Sequence, residues 1–230
     1  MPSKRRKARR RAGKRRAAQK KRYALVAGVV VVALIAVAAL VLLDQGAGSS
    51  RADAGAEATE KSLGAPDAPV VVVEYADFQC PYCRQFAEGP GQQLKADYVE
   101  SGQVRLVFRH LAFLGDESTW AAEAAECANE QDRFWDYHDK LFDEQAGENR
   151  GAYSRDNLKR FAADLELDSA QFDECFDSGK YRAVVQAEFD DARLRRINST
   201  PTILVDGELI RNGANYQVLQ AAVEAALRGQ

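Results

Sequence analysis

Hydrophobic residues are distributed very differently in the first and later parts of the chain. Ala24 to Leu43 is a run of 20 residues without a charge, preceded by Tyr23. At about 1.5 Å per residue, such a run forms ~30 Å of helix, enough to cross a bilayer. Residues 44–62 are rich in Gly, Ala, Ser and charged side chains and show no apolar periodicity. We therefore expect a transmembrane anchor over residues 23–43 and a flexible linker over residues 44–62.

Residues 63–230 have the alternating patterns of one α/β domain. The four valines at 70–73 predict a central strand covered on both faces, and residues 104–108 predict a second strand beside it. Residues 202–205 and 208–210 flank Asp206-Gly207, a strong hairpin signal. A segment of helical pattern at about 116–196, with breaks near 147–151, 167–169 and 178–179, separates these strands. The pattern predicts a helical subdomain inserted into a sheet, followed by a helix over 215–227.

The charge distribution assigns a direction to the predicted anchor. Residues 1–22 contain 13 Lys or Arg and no acid, whereas residues 44–230 contain 19 basic and 34 acidic residues, a net charge of −15. Positive charge favours the cytoplasmic side of a membrane, so we expect a cytoplasmic tail at 1–22 and an extracytoplasmic domain on a single-pass anchor. The acidic domain disfavours nucleic acid as a partner, because phosphate binding requires a basic surface.

A cleaved signal peptide is the main alternative to the anchor. Ala52-Asp53-Ala54 has the small-x-small pattern of a cleavage site. The apolar run, however, exceeds the ~7–15 residues of a signal core, and the cleavage pattern lies well beyond its end. We favour the uncleaved anchor, and sequencing the amino terminus of the mature protein tests it.

Cys80-Pro81-Tyr82-Cys83 directly follows the predicted central strand. Pro81 suits the first turn of a helix, which places Cys80 at the helix N-terminus and Cys83 one turn further in. Backbone N–H groups and the helix dipole stabilise a thiolate at that position. We therefore expect Cys80 to be the exposed nucleophile and Cys83 to be the shielded resolving thiol of a redox-active pair. This chemistry needs no cofactor.

The other two cysteines, Cys127 and Cys175, lie in the helical insertion. Outside the cytoplasm an even cysteine count favours pairing, and a structural disulfide between them is expected; two buried free thiols are the alternative. Zinc is disfavoured because only Cys80 and Cys83 are close in sequence, so we expect no metal. His110 and His138 receive no role.

Three segments in this order resemble the DsbA-type branch of the thioredoxin-like superfamily, whose members include membrane-tethered thiol:disulfide oxidoreductases. They are Glu74 with residues 78–83, the aromatic segment 134–142 and Ser199-Thr200-Pro201-Thr202. The resemblance covers about residues 65–230 and implies a thioredoxin-like fold with an inserted helical subdomain.

The resemblance also implies roles for individual residues. Thr200-Pro201 is expected to be a cis peptide whose loop lies against Cys80, where the backbone of Thr200 pairs with an extended substrate; Pro81 and Tyr82 complete the substrate site. Glu74 is expected to be a buried acid beneath Cys83 that relays its proton. The alternative for Glu74 is a solvated position at the strand end.

The expected function is the introduction of disulfides into secreted or cell-envelope proteins. The resemblance implies reoxidation by a quinone-linked membrane partner of the DsbB or VKOR kind. Two alternatives stay open: a reductase or isomerase supplied by a membrane electron donor, and a binding module or adaptor with purely structural cysteines. Pro81-Tyr82 is a dipeptide common in glutaredoxins and does not fix the reduction potential that separates oxidase from reductase.

Overall fold

The computed structural model describes residues 61–229, and the predicted tail, anchor and nearly all of the predicted linker lie outside them. Within the described residues, no helix is both long and apolar enough to span a bilayer. Lys61 is buried and Ser62 pairs in the sheet, so these two residues of the predicted linker belong to the folded domain. Two residues are too few to show a periodicity in sequence.

The described residues form a five-stranded mixed sheet with helices around it. The strands are β1 (Ser62–Leu63), β2 (Val70–Ala76), β3 (Val104–His110), β4 (Thr202–Val205) and β5 (Glu208–Leu209). Their spatial order is β1-β3-β2-β4-β5, with only the β2 and β3 pair parallel. The valine-rich strand β2 therefore lies at the centre, as predicted. Asp206 and Gly207 have φ values of 48° and 83°, which suits the tight turn between β4 and β5.

Eight α-helices complete this part of the chain. They are α1 (Pro81–Glu88), α2 (Pro90–Leu94), α3 (Asp116–Asn129), α4 (Phe134–Asp143), α5 (Arg155–Asp164), α6 (Ser169–Ser178), α7 (Arg182–Leu194) and α8 (Tyr216–Arg228). A π-helical turn, Lys95–Val99, continues α2. Helices α3 to α7 form the predicted insertion; the break at residues 130–133 between α3 and α4 is additional to the three predicted. Gly89 separates α1 from α2, as the Gly-Pro-Gly sequence indicates.

Three groups of buried side chains hold the elements together. One face of β2 and β3 packs on α1, α2 and α8 through residues such as Val72, Leu106 and Leu219. The opposite face packs on α7 and the segment after it, through Tyr75, Ala192 and Ile197. The largest group fills the helical insertion and reaches the sheet at Ala76 and Phe108. The carboxyl end of β2 therefore lies where the insertion meets the sheet, and the loop leading to Cys80 starts there.

Candidate active site

Cys80 is the N-cap of helix α1, and Pro81 occupies the first turn as expected. The backbone N–H of Cys80 donates to the carbonyl of Asp77 at 3.0 Å, and the carbonyl of Cys80 accepts from the N–H of Cys83 at 3.1 Å. Both cysteines are free thiols. Cys80 is only 5% exposed, so the expectation of an exposed sulfur was wrong, although Cys83 is still more buried at 0%. The loop at Thr200 contacts the Cys80 sulfur.

The surroundings of Cys80 stabilise its thiolate. The hydrogen bond from the Cys83 thiol is the largest contribution that lowers the pKa of Cys80, to about 6; burial opposes it, and the Thr200 hydroxyl and two backbone N–H groups add to it. The Sγ atom lies 3.5 Å from the Thr200 carbonyl, to which the thiol form donates. The Thr200 hydroxyl, which has no other partner among the described residues, is free to donate to the thiolate. Cys80 is therefore the more acidic of the two thiols.

Cys83 has the opposite electrostatic environment. Burial raises the pKa of Cys83 well above its ordinary value, and the hydrogen bond to Cys80 and the charge of Glu74 raise it further. A neighbouring group that accepts and returns a proton is therefore required for Cys83 to react or to leave as a thiolate. The two thiols thus differ in the sense expected of a nucleophile and a resolving cysteine.

Glu74 lies in β2 and is 2% exposed, which excludes the solvated strand-end alternative. Burial raises the pKa of Glu74 to about 8, Lys95 lowers it, and Cys80 raises it. Its Oε1 atom accepts no hydrogen bond from any described residue. A carboxyl group with a pKa near neutrality, electrostatically coupled to both thiols, is suited to exchange a proton with Cys83.

The Thr200-Pro201 peptide bond is cis, the isomer that the resemblance implies. The hydroxyl of Thr202 donates to the carbonyl of Ser199 at 2.7 Å and so closes the turn that contains this bond. Tyr82, in the first turn of α1, is 65% exposed. The structure thus brings Thr200 and Cys80 into contact and leaves the Tyr82 side chain open to solvent.

A set of polar side chains around the loop before Cys80 was not predicted from the sequence. Asp77 is buried and accepts hydrogen bonds from the backbone of Gln79, Phe113 and Leu114 and from the Ser118 hydroxyl. Burial nevertheless raises the pKa of Asp77. In the sequence, this role is indicated by the position of Asp77, a polar residue between a buried strand and the cysteine pair. Asp77 holds the loop after β3 against the loop that carries Cys80.

The helical insertion holds the same loop from its other side. Gln145 donates to the carbonyls of Phe78 at 2.7 Å and Cys80 at 3.1 Å. The buried Tyr153 hydroxyl lies 3.0 Å from the Phe78 carbonyl and 2.6 Å from that of Leu141. These partners are 65 to 75 residues away in sequence from the loop they contact, which explains why local patterns did not indicate them.

Cys127 and Cys175 form a disulfide with their Cα atoms 5.8 Å apart. The bond joins α3 to α6 inside the helical insertion, away from the sheet. Cys127 and Cys175 are therefore a structural disulfide, as expected, and not two buried free thiols. Their role is distinct from that of Cys80 and Cys83.

A second group of buried and half-buried ionisable side chains lies at the end of β3 and is here called the Lys61 cluster: Lys61, Arg109, His110, Glu126 and Glu188. The Lys61 ammonium contacts both carboxylates, at 2.7 Å in the case of Glu188. Arg109 lies 2.9 Å from Glu188, and His110 Nε2 lies 3.1 Å from Glu126. His110, to which the sequence assigned no role, therefore has Glu126 as its partner.

The Lys61 cluster also contains a possible set of metal ligands. Donor atoms of His110, Glu126 and Glu188 lie within 4.8 Å of one another. Lys61 and Arg109 carry two positive charges that pair with the two carboxylates, so the carboxylates are neutralised without a metal ion.

His138 lies on α4 among aromatic rings that include Phe108 and Phe142, with ring centroids 5.3 and 4.9 Å away. Its Nδ1 atom is 2.7 Å from Asp139. Burial lowers the pKa of His138. This packing places the aromatic segment in the core of the insertion.

Comparison with known proteins identifies the group to which this geometry belongs. The family model described as Thioredoxin matches residues 56–225. Disulfide bond formation protein D of Bacillus subtilis is 31% identical over 171 residues, which cover 73% of this chain and 77% of that protein. The chain belongs to the thioredoxin family. The oxidised BdbD structure from Bacillus subtilis covers 74% of this chain and 93% of its own, at 31% identity and a TM-score of 0.69.

The thioredoxin family assignment confirms the predicted fold and, for this domain, the predicted class of DsbA-like thiol:disulfide oxidoreductases. DsbA of Chlamydia trachomatis shares the fold at 17% identity and a TM-score of 0.66. A further relative, the Na(+)/H(+) antiporter NhaA 3 of Salinispora tropica, is 41% identical over 165 residues. The aligned region covers 71% of this chain but only 24% of that antiporter, so the chain matches about a quarter of its length.

Proposed function

We propose that this chain is an extracytoplasmic enzyme that introduces disulfides into secreted and cell-envelope proteins through Cys80 and Cys83. One observation carries the proposal. The Cys80 sulfur, whose pKa is lowered, lies at a helix N-terminus 3.5 Å from the Thr200 carbonyl, while Cys83, whose pKa is raised, and Glu74 are buried. Such an arrangement supports attack at one sulfur and departure from the other.

The proposed reaction has two exchange steps. A substrate thiolate attacks Sγ of Cys80 in the Cys80–Cys83 disulfide, and Cys83 leaves as a thiolate that takes a proton from Glu74. A second thiolate of the substrate then attacks the substrate sulfur of the mixed disulfide. The substrate disulfide forms, and Cys80 leaves as its stabilised thiolate. Two electrons pass from the substrate dithiol to the enzyme dithiol.

The low pKa of Cys80 supports the oxidising direction, because stabilising the reduced form makes the disulfide a stronger oxidant. The name of the Bacillus subtilis relative, disulfide bond formation protein D, agrees with this direction. In the proposed substrate site, Thr200 and Pro201 align an extended chain beside Cys80, and Pro81 and Tyr82 contact it from helix α1.

The proposed location follows from the sequence alone. Residues 1–22 form the cytoplasmic tail, residues 23–43 the anchor and residues 44–62 the linker to the catalytic domain. The reduced dithiol then passes its electrons to a membrane oxidase of the DsbB or VKOR kind. Cysteine accessibility labelling on either side of the membrane tests this topology.

A trapping experiment tests the activity. The Cys83→Ser variant of the full chain, mixed with a disulfide-bonded peptide, should accumulate a mixed disulfide at Cys80, because no second sulfur is present to resolve it. The matched Cys80→Ser variant should accumulate none. If neither variant is trapped and the wild type does not catalyse insulin reduction by dithiothreitol, the adaptor alternative replaces the enzyme.

A redox titration against glutathione tests the direction. The proposal expects a reduction potential toward the oxidising end of the family's range of about −270 to −120 mV. A value close to that of thioredoxin, about −270 mV, would instead support a reductase.

A further inference from the structure

The end of helix α7 carries exposed basic residues within a domain that is otherwise acidic. Arg193, Leu194, Arg195 and Arg196 are consecutive and all exposed, Leu194 to 85%, more than any other large hydrophobic residue described. Residues 44–230 contain 19 basic and 34 acidic residues, a net charge of −15. Three arginines in four positions therefore form a local positive surface on a negative domain, here called the basic segment (residues 193–196).

The charge of the basic segment is only partly compensated within the fold. The Arg195 guanidinium lies 2.8 Å from Oδ2 of Asp191. Arg193 and Arg196 form no salt bridge with any residue that the structure describes, including Asp190 in the same turn. Two guanidinium groups are therefore available to a carboxylate from another molecule.

The backbone holds the basic segment in a fixed position. The N–H of Ile197 donates to the carbonyl of Ala192 at 2.8 Å, and the N–H of Arg196 donates to that of Arg193 at 3.0 Å. Arg196 has a φ of 61°, the left-handed conformation that ends a helix in this way. Ile197 is buried and packs in one group with Ala192 and Tyr75 of β2. The segment is therefore anchored to the central strand that leads to the cysteine pair.

The basic segment lies close to the place where a substrate chain is proposed to bind. Arg196 precedes Thr200 by four residues, so at about 3.3–3.6 Å per residue their Cα atoms are at most ~14 Å apart. The Thr200 carbonyl is 3.5 Å from Sγ of Cys80, and the intervening Asn198 and Ser199 are exposed. An extended substrate that pairs with the backbone of Thr200 covers this distance with about four residues.

We propose that the basic segment is a specificity-determining surface, which binds carboxylate side chains of the substrate on one side of the reacting cysteine. The inference rests on the proposed function and names a class of substrate: chains with Asp or Glu within about four residues of a cysteine. Arginine suits this role because its planar group presents paired N–H donors that match a carboxylate. Leu194 offers an apolar contact between them.

The net charge of the domain alone predicts the opposite preference. A domain with an excess of 15 negative charges repels acidic chains, within a screening length of about 10 Å at 0.1 M salt. A preference for acidic residues at one position relative to the cysteine therefore requires a local positive surface. This opposition of sign makes the inference testable with peptides of equal composition.

The test measures attack by single-cysteine peptides on Cys80. The full chain with Cys83→Ser, in a non-ionic detergent, is first converted to a mixed disulfide between Cys80 and thionitrobenzoate. A peptide thiolate attacks Sγ of Cys80, a peptide disulfide forms there, and the coloured thionitrobenzoate anion leaves. Two isomeric peptides carry two Asp residues either before or after the cysteine, with Asn elsewhere. Each rate is divided by the rate of the same peptide with a small disulfide, which removes the effect of Asp on the peptide thiol.

One isomer should react about fivefold faster than the other at low salt, and about 0.5 M salt should remove the difference. Arg193→Gln combined with Arg196→Gln should reduce the ratio to about one. Arg193→Glu combined with Arg196→Glu should reverse it. As the matched control, Arg160→Gln combined with Arg228→Gln removes the same charge from exposed positions on α5 and α8 and should keep the ratio.

Three outcomes would contradict the inference or the function. If the two isomers react equally, or if the control pair lowers the ratio as much as substitution of Arg193 and Arg196, the inference is wrong while the proposed exchange stands. If that substitution keeps the ratio but abolishes binding to vesicles of anionic lipid, the basic segment contacts a membrane surface, and the inference is again wrong. If the wild type does not oxidise a dithiol peptide, the proposed function is wrong even where the ratio is as expected.

Discussion

The active site and the Lys61 cluster both bury ionisable side chains on the central strands, yet they treat charge in opposite ways. In the Lys61 cluster, burial acts to raise the pKa values of Glu126 and Glu188, but the cationic partners outweigh it and lower them, to about 2 for Glu126. At the active site, burial dominates and raises the pKa of Glu74 to about 8. Burial alone therefore does not distinguish the two sites; the pairing of the charges does.

This difference separates a structural role from a chemical one. Carboxylates that are fully paired stay ionised and fix the elements that carry them, here β3, α3, α7 and the segment before β1. An acid without a hydrogen-bond partner on one oxygen changes its protonation easily and is suited to proton transfer. Substitutions in the Lys61 cluster should therefore act on stability, and substitutions at the active site on reactivity.

Lys61→Met should have the largest effect on stability. The substitution leaves two buried carboxylates without their shared cation, and breaking such a buried pair costs about 3–5 kcal/mol. Urea unfolding measures the loss, with Lys159→Met, an exposed pair, expected to cost about 0–1 kcal/mol. Alkylation of Cys80 in the folded protein should be unchanged. A loss of unfolding free energy as small as that of the control would contradict a structural role for the cluster.

Glu74→Gln should stabilise the domain at neutral and alkaline pH while slowing the exchange reaction. The folded pKa of about 8 lies above the ordinary value of 4.5, so ionisation destabilises the wild type increasingly as pH rises from 4.5 to 8. At ~1.4 kcal/mol per pKa unit, the gain of the variant at pH 8 is on the order of 4 kcal/mol and vanishes at pH 4. Unfolding at both pH values measures it. Equal stability at pH 8 would mean that Glu74 is not held in the neutral form.

Glu126 should show the opposite dependence on pH. Its folded pKa of about 2 lies below 4.5, so the stability that it contributes is present above pH 4.5 and is lost as pH falls toward 2. Comparison of acid unfolding in the wild type and in Glu126→Gln measures this contribution. The two curves should differ most at neutral pH and converge in acid.

The reactivity of Cys80 should follow its own ionisation. Iodoacetamide reacts with the thiolate, so the alkylation rate of reduced enzyme should rise with a midpoint near pH 6, where Cys80 titrates. Thr200→Val removes the hydroxyl available to the thiolate and should move the midpoint to higher pH. A midpoint close to that of an ordinary thiol, about 8.5, contradicts the stabilised thiolate.

Tyr153→Phe should have the smallest effect. It removes the hydroxyl between the carbonyls of Phe78 and Leu141, and a buried hydrogen bond of this kind contributes about 1 kcal/mol. Gln145 still donates to Phe78, so the loop keeps one support. Thermal unfolding and the exchange rate together measure the effect. A large loss of exchange with little loss of stability would assign Tyr153 to the active site.

The sequence predicted the features that depend on neighbouring residues. The valines of β2, the alternation of β3 and the Asp206-Gly207 turn carry local information about strands, and Pro81 fixed the start of α1. The cysteine pair, with Thr200 and Pro201, then indicated the site through resemblance. Strand β3 is two residues longer than predicted, and the terminal helix begins and ends one residue later than predicted, differences that are usual for element ends.

The features that sequence did not predict depend on distant partners. Lys61 is 65 residues from Glu126 and 127 residues from Glu188, so nothing local marks it as buried. Asp77 is 36 residues from Phe113, and Gln145 is 67 residues from Phe78, the partners that they contact around the active-site loop. The contact between Cys80 and Thr200 likewise joins residues 120 positions apart. Pairing of polar groups across the fold is the information that a single sequence does not contain.

The short outer strands β1 and β5 bear on how the protein avoids aggregation. Each contains two residues, so neither edge of the described sheet offers a long row of unpaired backbone groups. Long exposed edges recruit other strands and lead to aggregation, a particular hazard for a protein proposed to meet unfolded chains. Because both edge strands are this short, an unfolded substrate chain can add few backbone hydrogen bonds to the sheet. Release of the substrate after exchange is therefore favoured over aggregation.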